Sequence, residues 1–511
     1  MPTSTQIVLS TLNARYTHAS LGLRYLRANL GDLRDHSIID EFIIGQKHNE
    51  IIEQLLAHCP KIITLGVYIW NIDDTTRVVG LLKQVAPEVV IIIGGPEVSF
   101  EHSEQRICQL ADYIITGWGD ITLRKICDAV LNGPKPIMKI HAGEQPPLSD
   151  IVLPYREYTD EDLKNRTLYV EASRGCPFKC EFCLSALDKT AWAFDTDLFL
   201  NEMAILYERG ARQFKFVDRT FNLNIKISLK IMQFFLDRWR DDDPVYAHFE
   251  LVPDHLPEAL KSTIAQFPSG ALQFEIGIQT FNPEVQQLVS RKQDNDKAAD
   301  NLRWLHTQSN AHMHVDLIAG LPGETLSSFA NGFNRLVNLG PHEIQFGILK
   351  RLRGTPIIRH TTLFNLKFSP DAPYEILTNS TIDFNSMQRM SRFARYWDLV
   401  ANSGKFTRTL PILLNTEAFE SFMLFADWLY ATTGKTHQIA LERLFDLLHT
   451  YLSTQMKHSL EWIEAALLSD YAATGAKGKL GFMKRGLSIE SAPRTKANKL
   501  ATPPRQQRHL T

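Results

Sequence analysis

Three thiols fall within eight residues, Cys176, Cys180 and Cys183, in the segment EASRGCPFKCEFCLSALD. Their spacing, C-x3-C-x2-C, follows directly on the strand-like TLYVEAS. A cubane iron–sulfur cluster takes four thiolates. A trio leaves one iron without a protein ligand, much as a catalytic metal site keeps one position open. A structural zinc site needs a fourth protein donor, and no Cys or His follows Cys183 within a dozen residues. An electron-carrying ferredoxin site lacks its fourth cysteine in the same way. Gly175 allows a sharp turn into the loop, and Lys179 offsets some of the cluster's negative charge. The remaining cysteines, Cys59, Cys108 and Cys127, are scattered. RICQL and RKICDAV place Cys108 and Cys127 inside helical patterns, where a thiol behaves as a small buried hydrophobe. Six cysteines so distributed form no disulfide framework and point to metal or redox chemistry at the trio.

The loop needs a scaffold, and the pattern around it supplies one. From QIVLS at residue 6 to about residue 131, short apolar strands (QIVLS, a run near Ser37 to Ile44, KIITLGV, VVIIIGG, ADYIITG) alternate with helical stretches. Five such repeats predict a doubly wound parallel α/β sheet. Ligands of such sheets lie beyond the carboxyl ends of the strands. There the chain places Gly66 to Asn71, GGPEVS (Gly94, Gly95, Pro96, Glu97 to Ser99) and GWGD (Gly117 to Asp120, including Gly119). Five prolines between Pro134 and Pro154 thin out the periodicity and mark a linker. Alternation resumes at about Thr167 with TLYVEAS, QFKFVD, YAHFELV, LQFEIGI, HMHVDLI and EIQFGIL, six β-α units that predict an open or partial parallel barrel. Beyond about Asn365 the rest reads as mostly helical, with aromatics such as Phe393, Trp397, Phe419 and Phe422 as core or docking surface. The expected domains are 1–140, a linker at 141–166, 167–365 and 366–511.

With 511 residues, 44% hydrophobic and 22% charged, the chain is an ordinary globular protein of several domains. A net charge of -2 excludes a chain held to nucleic acid by bulk charge. Residues 472–511 carry nine Lys/Arg and one acidic residue, but only Phe482 is aromatic there. That tail is expected to be a solvated end; binding to nucleic acid or another acidic partner is the other reading, though RNA binding would need aromatics interleaved with the charge. No apolar run approaches the roughly 20 residues of a membrane span, and the start lacks a basic, then apolar, leader. The expected location is cytoplasmic, without membrane insertion.

The cysteine spacing, its place in a β-α array, Phe182, EIGIQT on the fourth strand and DLIAGLPGET after the fifth resemble the radical SAM superfamily over Thr167 to about Ile348. The resemblance implies that Cys176, Cys180 and Cys183 ligate three irons of a [4Fe-4S] cluster, whose fourth iron chelates S-adenosylmethionine. It implies that Phe182 offers its backbone to adenine and that Asp218 and Arg219 lie by the methionine moiety. Glu250, Glu275, Gly277 and Gln279 would face the cofactor, Arg291 would pair with its carboxylate, and Ile318, Gly320, Leu321 and Pro322 would border adenine. Taken as residues alone, Asp218 and Arg219 also fit a surface ion pair, and Gly320 a simple turn.

The N-terminal sheet with GGPEVS and GWGD resembles the cobalamin-binding domain fused in front of many radical SAM domains. Gly66, Asn71, Gly94, Gly95, Pro96, Glu97, Gly117 and Gly119 would then contact a corrinoid. The D-x-H-x-x-G motif of a histidine lower ligand is absent: around His18, Tyr16 replaces the Asp and Gly22 comes one position late. Cobalamin would therefore bind without a protein histidine below it; a vestigial scaffold is the other reading of the domain. The resemblance implies a B12-binding radical SAM enzyme with an uncharacterised C-terminal extension. Such an enzyme cleaves S-adenosylmethionine reductively and, as the leading outcome, methylates an unactivated carbon, drawing electrons from a flavodoxin or ferredoxin. Cyclisation or oxidation, methylthiolation, and a non-catalytic corrinoid- or SAM-binding regulator are the alternatives. The substrate is not legible in the sequence.

Overall fold

A computed structural model describes residues 5–456, 458–483 and 502–510. The chain divides into two compact units. The first holds the residues up to Arg219 together with Lys350–Ile358 and Ser369–Glu375; the second holds Thr220–Leu349, Arg359–Phe368 and the residues from Ile376 onward.

The first unit opens with β1 (Ile7–Asn13), α1 (Leu21–Ala28), β2 (Ser37–Ile43), α2 (His48–Ala57), β3 (Ile62–Gly66), α3 (Ile72–Val85) and β4 (Val90–Gly94). It continues through α4 (Arg106–Leu110), β5 (Tyr113–Thr116), α5 (Asp120–Asn132) and β6 (Ile140–Ala142). The strands pair in parallel in the order β2-β1-β3-β4-β5-β6. The sheet is covered on both faces, so its strands are apolar at nearly every position and successive residues feed different cores. Val8, Leu12, Ile63, Leu65, Ile91 and Ile93 pack with α2, α3 and α4. Ile7, Leu9, Ile62 and Ile92 pack with Leu23, Leu123 and Ile126 of α1 and α5. Cys108 lies in one core and Cys127 in the other, and burial pushes their thiols up to about 11 and about 12.

The stretch expected to be a linker is more ordered than its prolines imply. Its start, β6, adds a sixth strand to the sheet, and α6 (Asp160–Asn165) begins with a reciprocal Thr159–Asp162 capping box. Tyr155 and Tyr158 are fully buried. Their hydroxyls donate to the backbone carbonyls of Glu171 and Tyr169. These anchors occur singly, without a period, which is why the sequence pattern does not reveal them. The chain then forms β7 (Leu168–Val170), the short β8 (Ser173–Arg174) and β9 (Trp192–Ala193), α7 (Thr196–Glu208) and β10 (Gln213–Phe216); β7 and β10 pair in parallel.

The second unit runs α8 (Ile225–Arg238), β11 (Tyr246–Leu251), α9 (Glu258–Ile264), β12 (Leu272–Gln279), α10 (Pro283–Leu288) and α11 (Asn295–Gln308). β13 (His312–Ala319), α12 (Leu326–Asn338) and β14 (Glu343–Ile348) follow. β11, β12, β13 and β14 pair in parallel in that order. Beyond them lie a small hairpin, β15 (Lys367–Phe368) with β16 (Ile376–Thr378), and helices α13 (Phe384–Val400), α14 (Leu410–Leu414) and α15 (Ala418–Thr433). The last helices are α16 (Leu441–Thr454), α17 (Leu460–Thr474) and α18 (Pro504–Gln507). The aromatics of this region are core: Phe393, Trp397, Phe419 and Phe422 are buried and pack with Phe333 and Phe346 of α12 and β14.

The end of the chain departs from the expected solvated tail. Thr502 is buried against the Gly270 carbonyl. Arg505 reaches Asp398 and Glu343 at 2.7 Å each. Arg508 donates to the Ser403 carbonyl. The rest of the basic tail, residues 484–501, lies outside the described residues. Among the described residues no helix is long and apolar enough to cross a membrane.

Candidate functional site

In the first unit the strand order reverses direction at β1 and β3, the place where such sheets open a crevice. A cavity of about 310 Å³ sits there. Its lining comes from the carboxyl ends of β3, β4 and β5 and from the start of α1. Of the sequence-predicted corrinoid residues, Gly66, Gly94, Gly95, Gly117 and Gly119 line it. Gly95 has φ +116, and a Cβ there would stand 2.4 Å from the Val67 carbonyl oxygen, so only glycine fits.

Asn71, Pro96 and Glu97 are not among the lining residues. The Asn71 amide is buried and spent on the loop itself: it donates to Leu12 O, Gly66 O and Thr11 Oγ1 and accepts from Tyr68 N–H. Pro96 opens a short turn of 3-10 helix. Glu97 is buried beneath that turn, paired with Arg353 at 2.8 Å and Tyr374 Oη at 2.7 Å. Local composition does not separate the loop's struts from the residues that line the cavity.

Sequence reasoning missed much of the wall: Tyr25, Tyr68, Trp118, Asp120, Glu171 and Arg174 also line the cavity. Arg174 is the centre of this group. It forms a two-pronged pair with Asp120 at 2.8 and 3.1 Å and bonds Glu171 at 2.7 Å. Its guanidinium lies over the rings of Tyr25, Trp118 and Phe194. The two carboxylates hold Arg174 charged even though burial opposes it, while burial raises Glu171. A signal was present, since Trp118 stands between the two glycines of GWGD and Arg174 is two residues ahead of Cys176.

That proximity ties the cavity to the cysteine loop. Cys176 N–H donates to the Asp188 carbonyl, and Trp118 Nε1–H donates to the Asp188 carboxylate at 2.8 Å. Gly175, at φ +88, turns where a Cβ would meet Thr190 and Ala191. Cys176 and Cys180 are buried and Cys183 is partly exposed. Burial raises the Cys176 thiol, with the other two thiols adding and Arg219 opposing. Phe182 is half-buried between two of the cysteines, and Lys179 is exposed. Three thiols on one short loop, two of which raise the third, fit an iron–sulfur cluster with one iron unligated by protein.

Asp218 and Arg219 part company. Arg219 is exposed, whereas Asp218 is buried and accepts from Ala172 N–H and the Ser173 hydroxyl, so they are no surface ion pair. Burial pushes the Asp218 carboxyl up to about 7. Its role is to fix the chain between β7 and the cysteine loop.

In the second unit the register sets Glu250 of β11 beside Glu275 of β12, and Glu275 beside His314 of β13. Glu275 also contacts His248 at 3.1 Å. Gly277 lies level with Asp316, and Gln279 takes a left-handed φ of 68° at a break in register. Arg291 donates to the Gly277 carbonyl and to Gln293, so these predicted residues form one polar surface.

The other group behaves differently. Ile318 is half-buried on β13, while Leu321 and Pro322 are buried. Gly320, at φ +89, has Ile376 where a Cβ would go, 2.6 Å away, with Met387 next. Its carbonyl accepts from Asn379. The glycine is required by packing against the C-terminal region. Two residues past Pro322, Glu324 is buried, bonded to the Thr280 and Ser328 hydroxyls, with its carboxyl pushed up to about 7.

Comparison with known proteins gives this arrangement its family. The B12 binding domain matches residues 7–126, the radical SAM superfamily residues 170–336, and DUF4080, a family of unknown function, residues 362–502. An uncharacterised methyltransferase of Pyrococcus horikoshii is 25% identical over 380 residues, covering 68% of this chain and 80% of that protein. The cobalamin-dependent radical SAM methyltransferase TokK of Streptomyces tokunonensis is 23% identical over 320 residues, 56% of this chain but 46% of its own. Among solved structures, the cobalamin-dependent S-adenosylmethionine radical enzyme OxsB with aqua-cobalamin bound superposes with a TM-score of 0.63 at 14% identity, covering 92% of this chain and 80% of that one. The radical S-adenosylmethionine methyltransferase TsrM of Kitasatospora setae gives 0.55 at 14% identity, over 69% and 75%. These structures share the fold. The chain is a radical SAM enzyme that carries a B12-binding domain ahead of its catalytic domain and a DUF4080 region behind it.

Proposed function

We propose that the protein is a cobalamin-dependent radical SAM methyltransferase acting on an unactivated carbon. When bound, the cluster at Cys176, Cys180 and Cys183 supplies the electron that opens S-adenosylmethionine to a carbon radical, and the corrinoid in the first cavity carries the methyl group. The observation that carries this reading is the shared wall: Arg174 and Glu171, two and five residues before the first cluster cysteine, line the strand-end cavity. One loop thereby serves both cofactors.

The chain's own residues orient, exclude water and hold charge. Leu21, Leu26, Leu65, Ile93 and Leu123 make the cavity mostly apolar, suited to the body of a large ring. The glycines admit backbone approach, while Arg174 is held between the carboxylates of Asp120 and Glu171. Asp218 and Gly175 set the entry and the turn of the cysteine loop. Glu275, Gln279 and Arg291 provide a polar surface that suits the amino-acid and ribose parts of S-adenosylmethionine. We take the corrinoid to lack a protein histidine beneath it: His18 is not among the lining residues and contacts the Tyr169 hydroxyl at 2.6 Å. A flavodoxin or ferredoxin is the proposed reductant.

The test is anaerobic reconstitution with dithionite and S-adenosylmethionine. The loaded protein is expected to release deoxyadenosine, to bind hydroxocobalamin with its visible spectrum, and to pass label from the S-methyl group to a product. A fully loaded protein that makes no deoxyadenosine overturns the radical chemistry. Cluster loading without corrinoid retention overturns the methyl transfer alone.

A further inference from the structure

Three side chains from distant parts of the sequence meet at the amino ends of the second unit's strands, away from the carboxyl ends treated above. His312 begins β13, Glu343 begins β14, and His509 follows α18 at the end of the chain. His312 is 3% exposed, Glu343 2%, and the His509 side chain 10%. His312 Nε2 lies 3.3 Å from Glu343 Oε1, and His509 Nε2 lies 3.9 Å from the same oxygen. Each residue offers one ligand atom, and the three atoms lie within 4.8 Å of one another.

Glu343 Oε2 is taken by Arg505 at 2.7 Å, which leaves Oε1 to the two imidazoles. His509 Nε2 lies 3.2 Å from the Asn402 carbonyl as well as 3.9 Å from Glu343 Oε1, so it gives up that carbonyl, and any proton it carries, on binding an ion. His312 Nδ1 is buried with no hydrogen-bond partner among the described residues. His342 is adjacent, 4.6 Å ring to ring from His312, but its Nδ1 already accepts from Met313 N–H. Arg505 is shared with Asp398, which Arg395 also approaches at 3.6 Å, so Glu343 is the carboxylate that a dication would meet. The surroundings are rigid: the Asn402 amide both donates to and accepts from Ile344 at 2.9 Å.

We propose that His312, Glu343 and His509 bind a divalent transition-metal ion of the zinc class, and that this ion fastens the end of the chain to the floor of the second sheet. Two imidazole nitrogens and one carboxylate are the donor set of a borderline ion, whereas magnesium and calcium prefer oxygen throughout. Donors around one such ion stand about 3.3 Å apart, given metal–ligand bonds near 2.0–2.1 Å, so the cluster needs only a small contraction. The amino ends of barrel strands favour a stabilising role over a catalytic one.

Anomalous diffraction at the zinc edge, on crystals of the cluster-loaded full chain soaked in Zn²⁺, is expected to place one ion among the three side chains. In parallel, the full chain with Cys176→Ser, Cys180→Ser and Cys183→Ser, stripped by chelator, is titrated with Co²⁺. One ion per chain with visible d–d absorption is expected, and His509→Ala in that background should weaken binding at least ~100-fold. His509→Ala removes a residue near the chain terminus, and circular dichroism checks that its fold is intact. No ion at the site in the crystals, or Co²⁺ affinity unchanged by His509→Ala, overturns the proposal. If the triple-serine chain does not fold, the diffraction result decides. None of these readouts depends on the activity proposed above.

Discussion

The strand ends of the first sheet are closed over by glycines and apolar side chains, whereas the matching surface of the second carries Glu250, Glu275, His314 and Asp316. Both are parallel sheets fed by βα repeats, yet one presents shape and the other presents charge. Where the first does use charge, at Arg174, it pairs it internally with Asp120 and Glu171. A large, mostly apolar ligand is selected by space and by backbone that can come close; a small zwitterionic one is selected by hydrogen bonds. In the function proposed above, the two sheets divide recognition along that line.

The sharpest way to break this division is at the cysteine loop. Cys180→Ala should drop deoxyadenosine formation to background, measured by chromatography, while the corrinoid spectrum persists. Loss of both would mean that the loop is a structural part of the first cavity.

Next in size is Arg174→Leu. It strands two carboxylates in a poorly solvated wall and should cost about 3–5 kcal/mol in chemical denaturation. Adding Asp120→Asn and Glu171→Gln should return most of that loss. A cost below about 1 kcal/mol would place Arg174 among exposed ion pairs instead.

Gly320→Ala tests whether the second sheet's loop is shaped by packing. The new methyl meets Ile376 in a left-handed backbone, and the expected loss is about 2 kcal/mol. Ile376→Ala should recover part of it; no recovery would make backbone strain the whole effect.

The smallest effect is pH-dependent. The folded Glu324 carboxyl sits at about 7, above its ordinary 4.5. The folded state therefore holds this proton more tightly, so the contribution is fully present below about pH 4.5 and is lost as pH rises through 7. Glu324→Gln should shift stability in the variant's favour by roughly 1–3 kcal/mol between pH 5 and pH 8. Equal pH profiles for variant and parent would show that Glu324 is ionised throughout.

Much of this was legible because parallel strands leave a strict signature. Continuous apolar runs with glycine at the carboxyl end gave the first sheet, and five of its glycines do line the cavity. Period two on β12 put Glu275, Gly277 and Gln279 on one face, and the structure keeps them there. What was not legible depends on contacts far apart in sequence. Tyr25 and Arg174 meet at the cavity from positions 149 residues apart, with no local pattern in either. Asn71 and Glu97 sat in the right loops, but whether an amide or carboxylate faces inward to its own backbone or outward to a ligand is set by neighbours such as Thr11 and Arg353. That Gly320 packs against Ile376 was not legible, because Ile376 arrives only when the chain returns from β15. The closing residues, Thr502 to Leu510, read as polar tail because their partners Gly270, Glu343 and Asn402 are distant in the chain.

Glu97 has a consequence for anyone who would dissect the gene. Its carboxylate is buried in the first unit, yet both of its partners, Arg353 and Tyr374, come from segments encoded after the second sheet. The corrinoid-type front end is thus not a portable cassette. A fragment stopping anywhere short of residue 350, or a chimera that grafts the front half onto another catalytic half, would inherit a buried anion and none of its countercharge.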